Sequence, residues 1–312
     1  MSTAAAAPRF ERVTVTGGSG LLGRFVVDEL AGRTMVTVAD RVPPRQSVPF
    51  TQLDVRDHAA LRAALAGQEA VIHLAAIDDG NPFSDHDYFE TNVQGTWNVL
   101  DAAESAGVHL VVIASSVASL GLGPDRPPEY LPVDEAHPQR PTATYALTKQ
   151  VVETVARSFA ARGRVRVLCL RPTLIVRPER EAAILAQLDL DDPHAPPPPG
   201  ACGRGGIEPY GALAPTRTYV RSADAARAFR LALDYDRAPF DVIQLSARDS
   251  IGHDDTLARL AHAHGALPRV DNPLRWRRDP TASVLDASRA RERLGWEPTG
   301  DWRDVEAAHR EA

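Results

Sequence analysis

Apolar and polar positions in the first part of the chain change period in a regular order. Residues 13–16 form a β-branched run that predicts a strand. A glycine-rich loop at 17–23 follows directly, and apolar residues then recur at helical spacing up to Gly32. A second strand is predicted over residues 35–39, ending at Asp40. The order of strand, loop, helix and strand predicts an α/β unit.

The same alternation continues along the chain. Further strands are predicted over 51–55, 70–74, 109–114, 166–170 and 240–245, and helices over 58–66, 87–107 and 222–235. Short strands that alternate with helices predict a parallel, doubly wound sheet, the Rossmann fold of the α/β class. Ligands bind such sheets at the carboxyl ends of the strands. Residues that follow the strands are therefore the candidate site residues.

The composition is that of a globular protein and argues against some classes of binding partner. Of 312 residues, 44% are hydrophobic and 24% are charged, and the net charge is -6, which argues against nucleic acid as a partner. No apolar stretch approaches the roughly 20 residues that a membrane span requires. Two cysteines do not make a disulfide framework, so a reducing compartment is expected. We therefore expect a soluble, cytoplasmic protein that acts on a small molecule.

The glycine loop predicts a dinucleotide site. Gly17, Gly20 and Gly23 permit a tight turn and close backbone approach, so that the amino terminus of the next helix can meet a pyrophosphate. Asp40, about 20 residues further on, can accept both hydroxyls of an adenosine ribose and would repel a 2′-phosphate. The expected cofactor is NAD, with NADP less favoured, although Arg41 could soften that preference. The alternatives are a flexible turn for the loop and a strand-end turn residue for Asp40.

Residues after the next two strands lie where the rest of a dinucleotide would bind. Asp54 and Val55 are predicted on the adenine side, and Ala75 and Ala76 on the ribose–nicotinamide side. His73, inside the strand, is interpreted as a packed residue in preference to a ligand.

Three polar residues stand out further along the chain. Asn92 lies inside a predicted helix, where asparagine has a mild propensity cost, so it either faces solvent or holds something. Ser115 and Ser116 follow the strand at 109–114. A serine there can hydrogen-bond a substrate oxygen, although serines also populate turns.

Lys149 is the only lysine in the chain, and Tyr145 precedes it by four residues. On a helix this spacing places both side chains on one face, one turn apart. A chemistry that needs an ammonium and cannot use a guanidinium would explain the exception. An ordinary exposed helix pair is the alternative.

With these residues in place, the chain resembles the extended short-chain dehydrogenase/reductase family, also called the NAD-dependent epimerase/dehydratase family. The resemblance rests on motifs in the right order over nearly the whole chain: 16–23, Asp40, Asp54-Val55, 73–76, 92–96, Ser115-Ser116, 132–135, Tyr145 with Lys149, Arg171-Pro172, Arg217 before Tyr219-Val220, and 294–296. The motifs are specific for fold and cofactor class, and much less so for substrate.

The resemblance implies a role for each catalytic candidate. Tyr145 would be the general acid/base, while Lys149 would bind the nicotinamide ribose hydroxyls and lower the pKa of the phenol. Ser116 would position the substrate hydroxyl or carbonyl, and Asn92 would support a water relay or the local helix geometry. The cofactor-binding residues would be Gly17, Gly20, Leu21, Leu22, Gly23, Asp40, Arg41, Asp54, Val55, Leu74, Ala75, Ala76, Tyr145, Lys149 and Pro172. The substrate-binding residues would be Ser115, Ser116, Thr173 and Arg217, and no metal site is expected.

The resemblance also implies two lobes and a dimer. Residues 1–172, rejoined by 215–248, would form the dinucleotide-binding domain, and 173–214 with 249–312 the substrate-binding lobe. The proline-rich segment 189–200 is interpreted as a loop over the substrate cleft. The helices around 87–107 and 145–162 would pair with those of a second copy in a homodimer.

The expected function is hydride transfer at a secondary alcohol or ketone of a sugar-like or small-metabolite substrate. Leu174 stands where relatives that act on nucleotide sugars often carry an asparagine, whereas Arg217 stands where a diphosphate is often bound. A nucleotide-sugar epimerase with tightly bound NAD is therefore the alternative. A 4,6-dehydratase is disfavoured, because Val117-Ala118 follow Ser116 in place of an Asp-Glu pair. A catalytically silent dinucleotide sensor is a weaker alternative, since Tyr145 and Lys149 are both present.

Overall fold

The sheet at the centre of the molecule has seven parallel strands. The computed structural model describes residues 9–78, 82–123, 125–190 and 216–310. The first strands and helices are β1 (Arg12–Thr16), α1 (Gly23–Leu30), β2 (Met35–Asp40), β3 (Phe50–Gln52), α2 (His58–Ala64), β4 (Ala70–His73), α3 (Asp85–Tyr88), α4 (Gly95–Ala106) and β5 (Leu110–Ala114). A π-helical turn, Phe89–Gln94, joins α3 to α4, and a 3₁₀ turn, Val117–Leu120, follows β5.

The remaining elements complete the sheet and add small pairs of strands. They are β6 (Tyr130–Leu131), α5 (Thr144–Ala161), β7 (Arg166–Pro172), β8 (Leu174–Val176), α6 (Pro178–Leu190), β9 (Tyr219–Arg221), α7 (Ser222–Ala232), β10 (Phe240–Leu245), α8 (Thr256–His264), β11 (Arg269–Val270), α9 (Pro273–Arg278), α10 (Ser288–Leu294) and α11 (Trp302–Arg310). The strand order in the main sheet is β10-β7-β5-β4-β1-β2-β3, and β6 pairs with β11 and β8 with β9. The predicted doubly wound parallel sheet is confirmed.

Successive side chains along the strands point to opposite faces of the sheet and so contribute to two hydrophobic layers. Leu110 and Val112 face the layer that contains α1, α7 and α10, whereas Val111 and Ile113 face the layer that contains α2, α4 and α5. This period of two explains why the central strands read as continuous apolar runs: both faces are covered by helices. Trp296, which follows α10, is buried in the first of these layers.

The structure departs from the expected helix at 87–107. It begins earlier, because Ser84 and Asp87 form a reciprocal capping box, and it ends at Ala106 with Gly107 in the left-handed conformation. The π-helical turn interrupts it, and periodicity alone does not reveal a single extra residue per turn. The strand expected at 51–55 is also shorter, because β3 pairs with β2 only through Gln52.

The parallel sheet explains why distant candidates meet. The carboxyl ends of all seven parallel strands lie along one edge of the sheet. The strand order reverses beside β1, because β2 lies on one side of it and β4 on the other. That crevice is the usual ligand site of an open α/β sheet. Most of the proline-rich segment 189–200 lies outside the described residues.

Candidate functional site

The loop between β1 and α1 is built by glycines that admit no side chain. Gly17 has a φ of 73°, and a Cβ there would lie 2.5 Å from the backbone nitrogen of Ala75. A Cβ on Gly23 would collide with the carbonyl oxygen of Gly17. The structure describes every residue of α1. Its N-cap residue, Leu22, makes no capping hydrogen bond with its side chain, and its first turn contains no acidic residue. The loop and the helix amino terminus therefore fit the pyrophosphate of a dinucleotide.

Asp40 lies directly over this loop. Its Oδ2 accepts a hydrogen bond from the backbone N–H of Ser19 at 3.0 Å, and its Oδ1 accepts one from that of Val42 at 3.3 Å. The carboxylate is half-buried at the end of β2, and Arg41 beside it is exposed. A carboxylate in this position fits the ribose hydroxyls of a dinucleotide held by the glycine loop.

The segment after β3 is fixed by hydrogen bonds to its backbone. Asn98 of α4 donates to the carbonyl oxygens of Val55 and Arg56, both at 3.1 Å. Arg56 donates to both carboxylate oxygens of Asp54, and this bonding holds the pKa of Asp54 below its usual range. Val55 is buried, while Asp54 is half-buried at the same edge as Asp40.

Asn92 holds the segment that follows β4. Its Oδ1 accepts from the backbone N–H of Ile77 at 2.8 Å, and its Nδ2 donates to the carbonyl oxygen of the same residue at 2.9 Å. Nδ2 also donates to Oγ1 of Thr148 at 3.1 Å, and Thr148 in turn donates to the carbonyl oxygen of Tyr145 at 2.7 Å. Asn92 faces the interior and ties the β4 segment to α5.

Residues of that β4 segment line the crevice. The backbone N–H of Leu74 donates to the carbonyl oxygen of Thr16 at 2.9 Å, which continues the ladder between β1 and β4. Leu74 and Ala75 are half-buried, and Ala76 is exposed. The close approach of Ala75 to Gly17 places this segment against the glycine loop.

Tyr145 and Lys149 lie one turn apart near the start of α5. Nζ of Lys149 donates to the carbonyl oxygen of Ala114, the last residue of β5, at 2.8 Å, and it lies 5.6 Å from the centre of the Tyr145 ring. The Lys149 side chain is buried, and this desolvation lowers its pKa to about 8. The ring of Tyr88 packs edge-on against that of Tyr145 at 6.4 Å. Contacts with neighbouring elements thus fix the positions of both side chains, with Lys149 buried and Tyr145 half-buried.

The two serines after β5 differ in their surroundings. Ser116 is half-buried at the start of the 3₁₀ turn, where its Oγ accepts from the backbone N–H of Ala118 at 3.1 Å. The oxygen acts there as an acceptor, so the hydroxyl proton can still be donated. Ser115 is buried, and its Oγ donates to Oε1 of Glu153 at 2.6 Å.

His73 is a packed residue, as interpreted from the sequence. Thr96 donates to the carbonyl oxygen of Asn92 at 2.6 Å, so its Oγ1 accepts from Nε2 of His73 at 3.0 Å, and Nδ1 then accepts from Thr16 at 2.7 Å. Burial, followed by the charge of Lys149, lowers the pKa of His73 to about 3. The ring is therefore neutral, and it links β1 to α4, the helix that carries Thr96.

The remaining candidate site residues lie in two different parts of the structure. Pro172 and Thr173 are buried at the end of β7, beside Leu245 of β10, and so lie at the same edge as Ser116. Arg217 instead donates to Oδ1 of Asp254 at 3.1 Å, and Oδ2 of this aspartate lies 2.8 Å from Nη1 of Arg259. The structure thus places Arg217 in an ion-pair cluster of the late segments.

Several contributors were missed in the sequence. Tyr88, Thr148 and Glu153 contact the candidate residues, and only Glu153 had a readable signal, its four-residue spacing from Lys149. Among the described residues, no group of three or more His, Cys, Asp or Glu side chains is arranged to hold a metal ion.

Four features together define a dinucleotide-dependent enzyme of the short-chain dehydrogenase/reductase class: a doubly wound parallel sheet, a glycine loop at its switch point, an acidic residue ending β2, and a buried lysine one turn from a half-buried tyrosine beside β5. The chain belongs to the NAD dependent epimerase/dehydratase family, whose model matches residues 13–244. The predicted family, enzyme class and cofactor NAD are confirmed.

Similar proteins include both epimerases and dehydrogenases. The chain is 30% identical over 321 residues to a UDP-glucose 4-epimerase of Rhizobium leguminosarum bv. trifolii, covering 95% of each chain. It is 35% identical over 170 residues to an L-arabinose 1-dehydrogenase (NAD(P)(+)) of Haloferax volcanii, covering 51% of this chain and 65% of the other. The structure of a UDP-glucose 4-epimerase of Thermus thermophilus in complex with NAD superposes with a TM-score of 0.66 at 25% identity, covering 94% of this chain and 96% of the other.

Proposed function

We propose that the protein transfers a hydride at a secondary alcohol or ketone of a sugar, with Tyr145 as the general acid/base. The observation that carries the proposal is the position of Lys149. Its buried ammonium is fixed on the end of β5, beside both the Tyr145 ring and the serine pair. A fixed positive charge favours the phenolate form of a neighbouring phenol, which is the state that a general base requires.

Each residue has a defined part in this chemistry. When bound, NAD would supply the hydride acceptor for oxidation and the hydride donor for reduction. Tyr145 removes the proton from the substrate hydroxyl during oxidation and gives it back during reduction. Ser116 donates its hydroxyl proton to the substrate oxygen, which stabilises negative charge as it develops there. The buried network of Asn92 keeps Tyr145 aligned through Thr148.

The same residues that fit a dinucleotide support the preference for NAD. Gly17, Gly20 and Gly23 would receive the pyrophosphate, and Asp40 the adenosine ribose. The Asp40 carboxylate would repel the 2′-phosphate of NADP. Asp54, Val55 and residues 74–76 lie along the same edge of the sheet, which supports their assignment to the cofactor.

The substrate is proposed as a sugar because the similar enzymes act on sugars. A free sugar is favoured by Leu174, which offers no hydrogen bond from its side chain, and by the pairing of Arg217 with Asp254. A nucleotide sugar is the second candidate, and the full-length similarity to a UDP-glucose 4-epimerase favours it. Ser115 is engaged with Glu153, which supports a positioning role in place of substrate contact.

Two variants test the chemistry. Tyr145→Phe should abolish turnover and leave NAD affinity within about twofold, because the ring remains and only the proton-transfer group is lost. Lys149→Arg should also lower turnover by about 100-fold or more, since a planar guanidinium is larger and cannot replace a buried ammonium. UDP-glucose and L-arabinose are the first probes. Wild-type-like turnover by Tyr145→Phe would overturn the mechanism.

Cofactor content separates the two candidate reactions, epimerisation and net dehydrogenation. An epimerase returns its hydride to the substrate, so the purified protein should carry tightly held NAD, and added NAD should not be consumed. A dehydrogenase should need added NAD and reduce one equivalent for each sugar oxidised. Absorbance of the reduced nicotinamide during turnover distinguishes the two.

The proposal also covers the binding partners of the protein and its cellular compartment. None of the helices in the described part of the chain is long and apolar enough to span a membrane. We further propose a cytoplasmic homodimer that does not bind nucleic acid, with exposed apolar side chains on the π-helical turn, α4 and α5 as its interface. The division into a dinucleotide-binding domain and a substrate lobe is part of the same proposal, and the burial of Trp296 against the sheet supports counting α10 with the former.

A further inference from the structure

A buried carboxylate lies at the centre of a hydrogen-bond network directly behind the candidate site. Oε1 of Glu153 accepts from Oγ of Ser115 at 2.6 Å and from Nε of Arg171 at 2.7 Å. Oε2 accepts from Nη2 of Arg171 at 2.7 Å and from Nε2 of Gln139 at 2.9 Å. The side chains of Arg171 and Glu153 are only 4% and 6% exposed. Both carboxylate oxygens are therefore fully engaged.

Two of the three donors belong to segments that carry a candidate site residue, and the third, Gln139, lies in the loop before α5. Ser115 immediately precedes Ser116, and Arg171 immediately precedes Pro172 at the end of β7. The carboxylate itself stands on α5, one helical turn beyond Lys149. The network thus joins the segments that present the serine, the lysine and the proline.

Two consecutive residues of the β5 end hold two consecutive turns of α5. The carbonyl oxygen of Ala114 accepts from Lys149, and Ser115 donates to Glu153. Contacts at two points one turn apart fix both the rotation and the axial position of a helix, whereas one contact leaves it free to rotate. The bidentate contact with Arg171 adds a second strand, β7, to this clamp of α5.

Stability alone does not explain the pair. A buried ion pair contributes little net stability, because desolvation offsets the attraction, and apolar residues of similar size often serve as well. A buried network in which both carboxylate oxygens are satisfied instead fixes one geometry.

We infer that Glu153 is a positioning residue for hydride transfer, which orients Ser116 through Ser115 and holds Lys149 against the end of β5. The inference rests on the proposed function. It implies that the loss of the network misplaces the acid–base group and the serine without removing any group that touches the substrate.

The test separates position from stability by means of two variants. Glu153→Gln leaves the Arg171 charge buried and unpaired, so both melting temperature and turnover should fall. Glu153→Gln/Arg171→Met removes both charges, and the melting temperature should recover. Turnover of UDP-glucose or L-arabinose should stay about 10- to 100-fold below wild type in both, with KM changed much less than kcat, because the clamp is still missing.

The lone lysine supplies a readout that needs no substrate. Protein labelled with [13Cε]lysine gives a single lysine resonance, since Lys149 is the only lysine. Recorded near pH 6, about two units below the Lys149 pKa so that the ammonium stays protonated, this resonance should shift in both network variants as α5 loses its fixed position. The matched control is Asp224→Asn, another buried carboxylate, which pairs with Arg227 and accepts from the backbone of Thr299 on the opposite face of the sheet. It should lower the melting temperature and leave the resonance unchanged.

The outcomes are distinct. A double variant in which both kcat and the lysine resonance return to wild type along with the melting temperature overturns the inference. Network variants that keep wild-type turnover while Tyr145→Phe is inactive also overturn it and leave the proposed function standing. If Tyr145→Phe remains active, the proposed function fails, while a shifted lysine resonance in the double variant still supports the clamp.

Discussion

Lys149 carries the clearest residue-scale consequence of burial. Its ammonium is removed from water, and this desolvation opposes the charged form. The charged and titratable groups around it are Asp78 after β4, His73 on β4, Cys169 on β7 and Glu153 on α5. The charges of Asp78 and Glu153 raise its pKa and only partly offset the burial, whereas burial raises the pKa of the Cys169 thiol and keeps it neutral. An arginine would hold its proton permanently, which is one reason that a lysine is distinctive here.

We predict that Lys149 titrates with a midpoint near pH 8 in the cofactor-free protein. Because the ammonium is lost as pH rises through that midpoint, kcat/KM for NAD, which reports the cofactor-free enzyme, should fall above about pH 8. The single [13Cε]lysine resonance measures the midpoint directly. Asp78→Asn should move it to lower pH, since the Asp78 charge favours the ammonium. A midpoint near 10, as in an exposed lysine, would contradict the prediction.

At the scale of elements, the π-helical turn lets the helical segment from α3 to α4 both present Asn92 to the interior and pack on the sheet. It turns Asn92 inward, onto the backbone of Ile77, while α4 continues behind it with its apolar side on the sheet. Single π-helical turns inside α-helices are often found at functional sites. Directly after the turn, Gly95 lets α4 approach Val55, and a Cβ there would lie 2.7 Å from Cγ2 of Val55.

We predict that Gly95→Ala lowers the free energy of unfolding by about 1–3 kcal/mol, through overpacking against Val55, despite the better helix propensity of alanine. Val55→Ala should also destabilise, because it empties a buried position. The double variant should be more stable than the sum of the two changes by about 1 kcal/mol, since the collision is gone. Denaturant unfolding of the four proteins measures this coupling. Strictly additive effects would show that the Val55 contact is not the cause.

At the scale of the whole molecule, the helices that cover one side of the sheet expose apolar side chains on their outer surface. Phe89 of the π-helical turn, Trp97 of α4 and Leu147 of α5 are 53%, 45% and 46% exposed. The ring of Trp97 packs on Phe159 of α5, so these elements form one surface. Clustered exposed apolar residues mark protein–protein contacts.

We predict that Phe89→Glu/Leu147→Glu converts a dimer to a monomer, because each chain would bury two charges at the interface. Light scattering should give the mass of two chains for the wild type and of one chain for the variant. The matched control is Leu274→Glu on α9, where the leucine is 53% exposed and outside this surface. A wild-type mass equal to one chain would refute the dimer.

The local sequence predicted much of the fold, because its signals depend on nearby residues. The β-branched runs, Gly23 at the start of α1 and Gly295 at the end of α10 mark element ends by their own conformational preferences. β10 was predicted with the bounds that it has, Phe240–Leu245. The late segments were harder to predict. α9 and the pairs β6–β11 and β8–β9 are short, and partners distant in sequence stabilise them.

The sequence by itself determined the sheet type, the glycine loop and the Tyr145–Lys149 spacing, since strand period, glycine conformation and helix pitch are local properties. Only the tertiary structure decided which polar groups meet. It turned Asn92 inward, paired Arg217 with Asp254, and brought Ser115 and Arg171 to the same carboxylate. These contacts join residues far apart in the chain. They depend on the strand order of the parallel sheet, which brings the ends of separate strands to one edge.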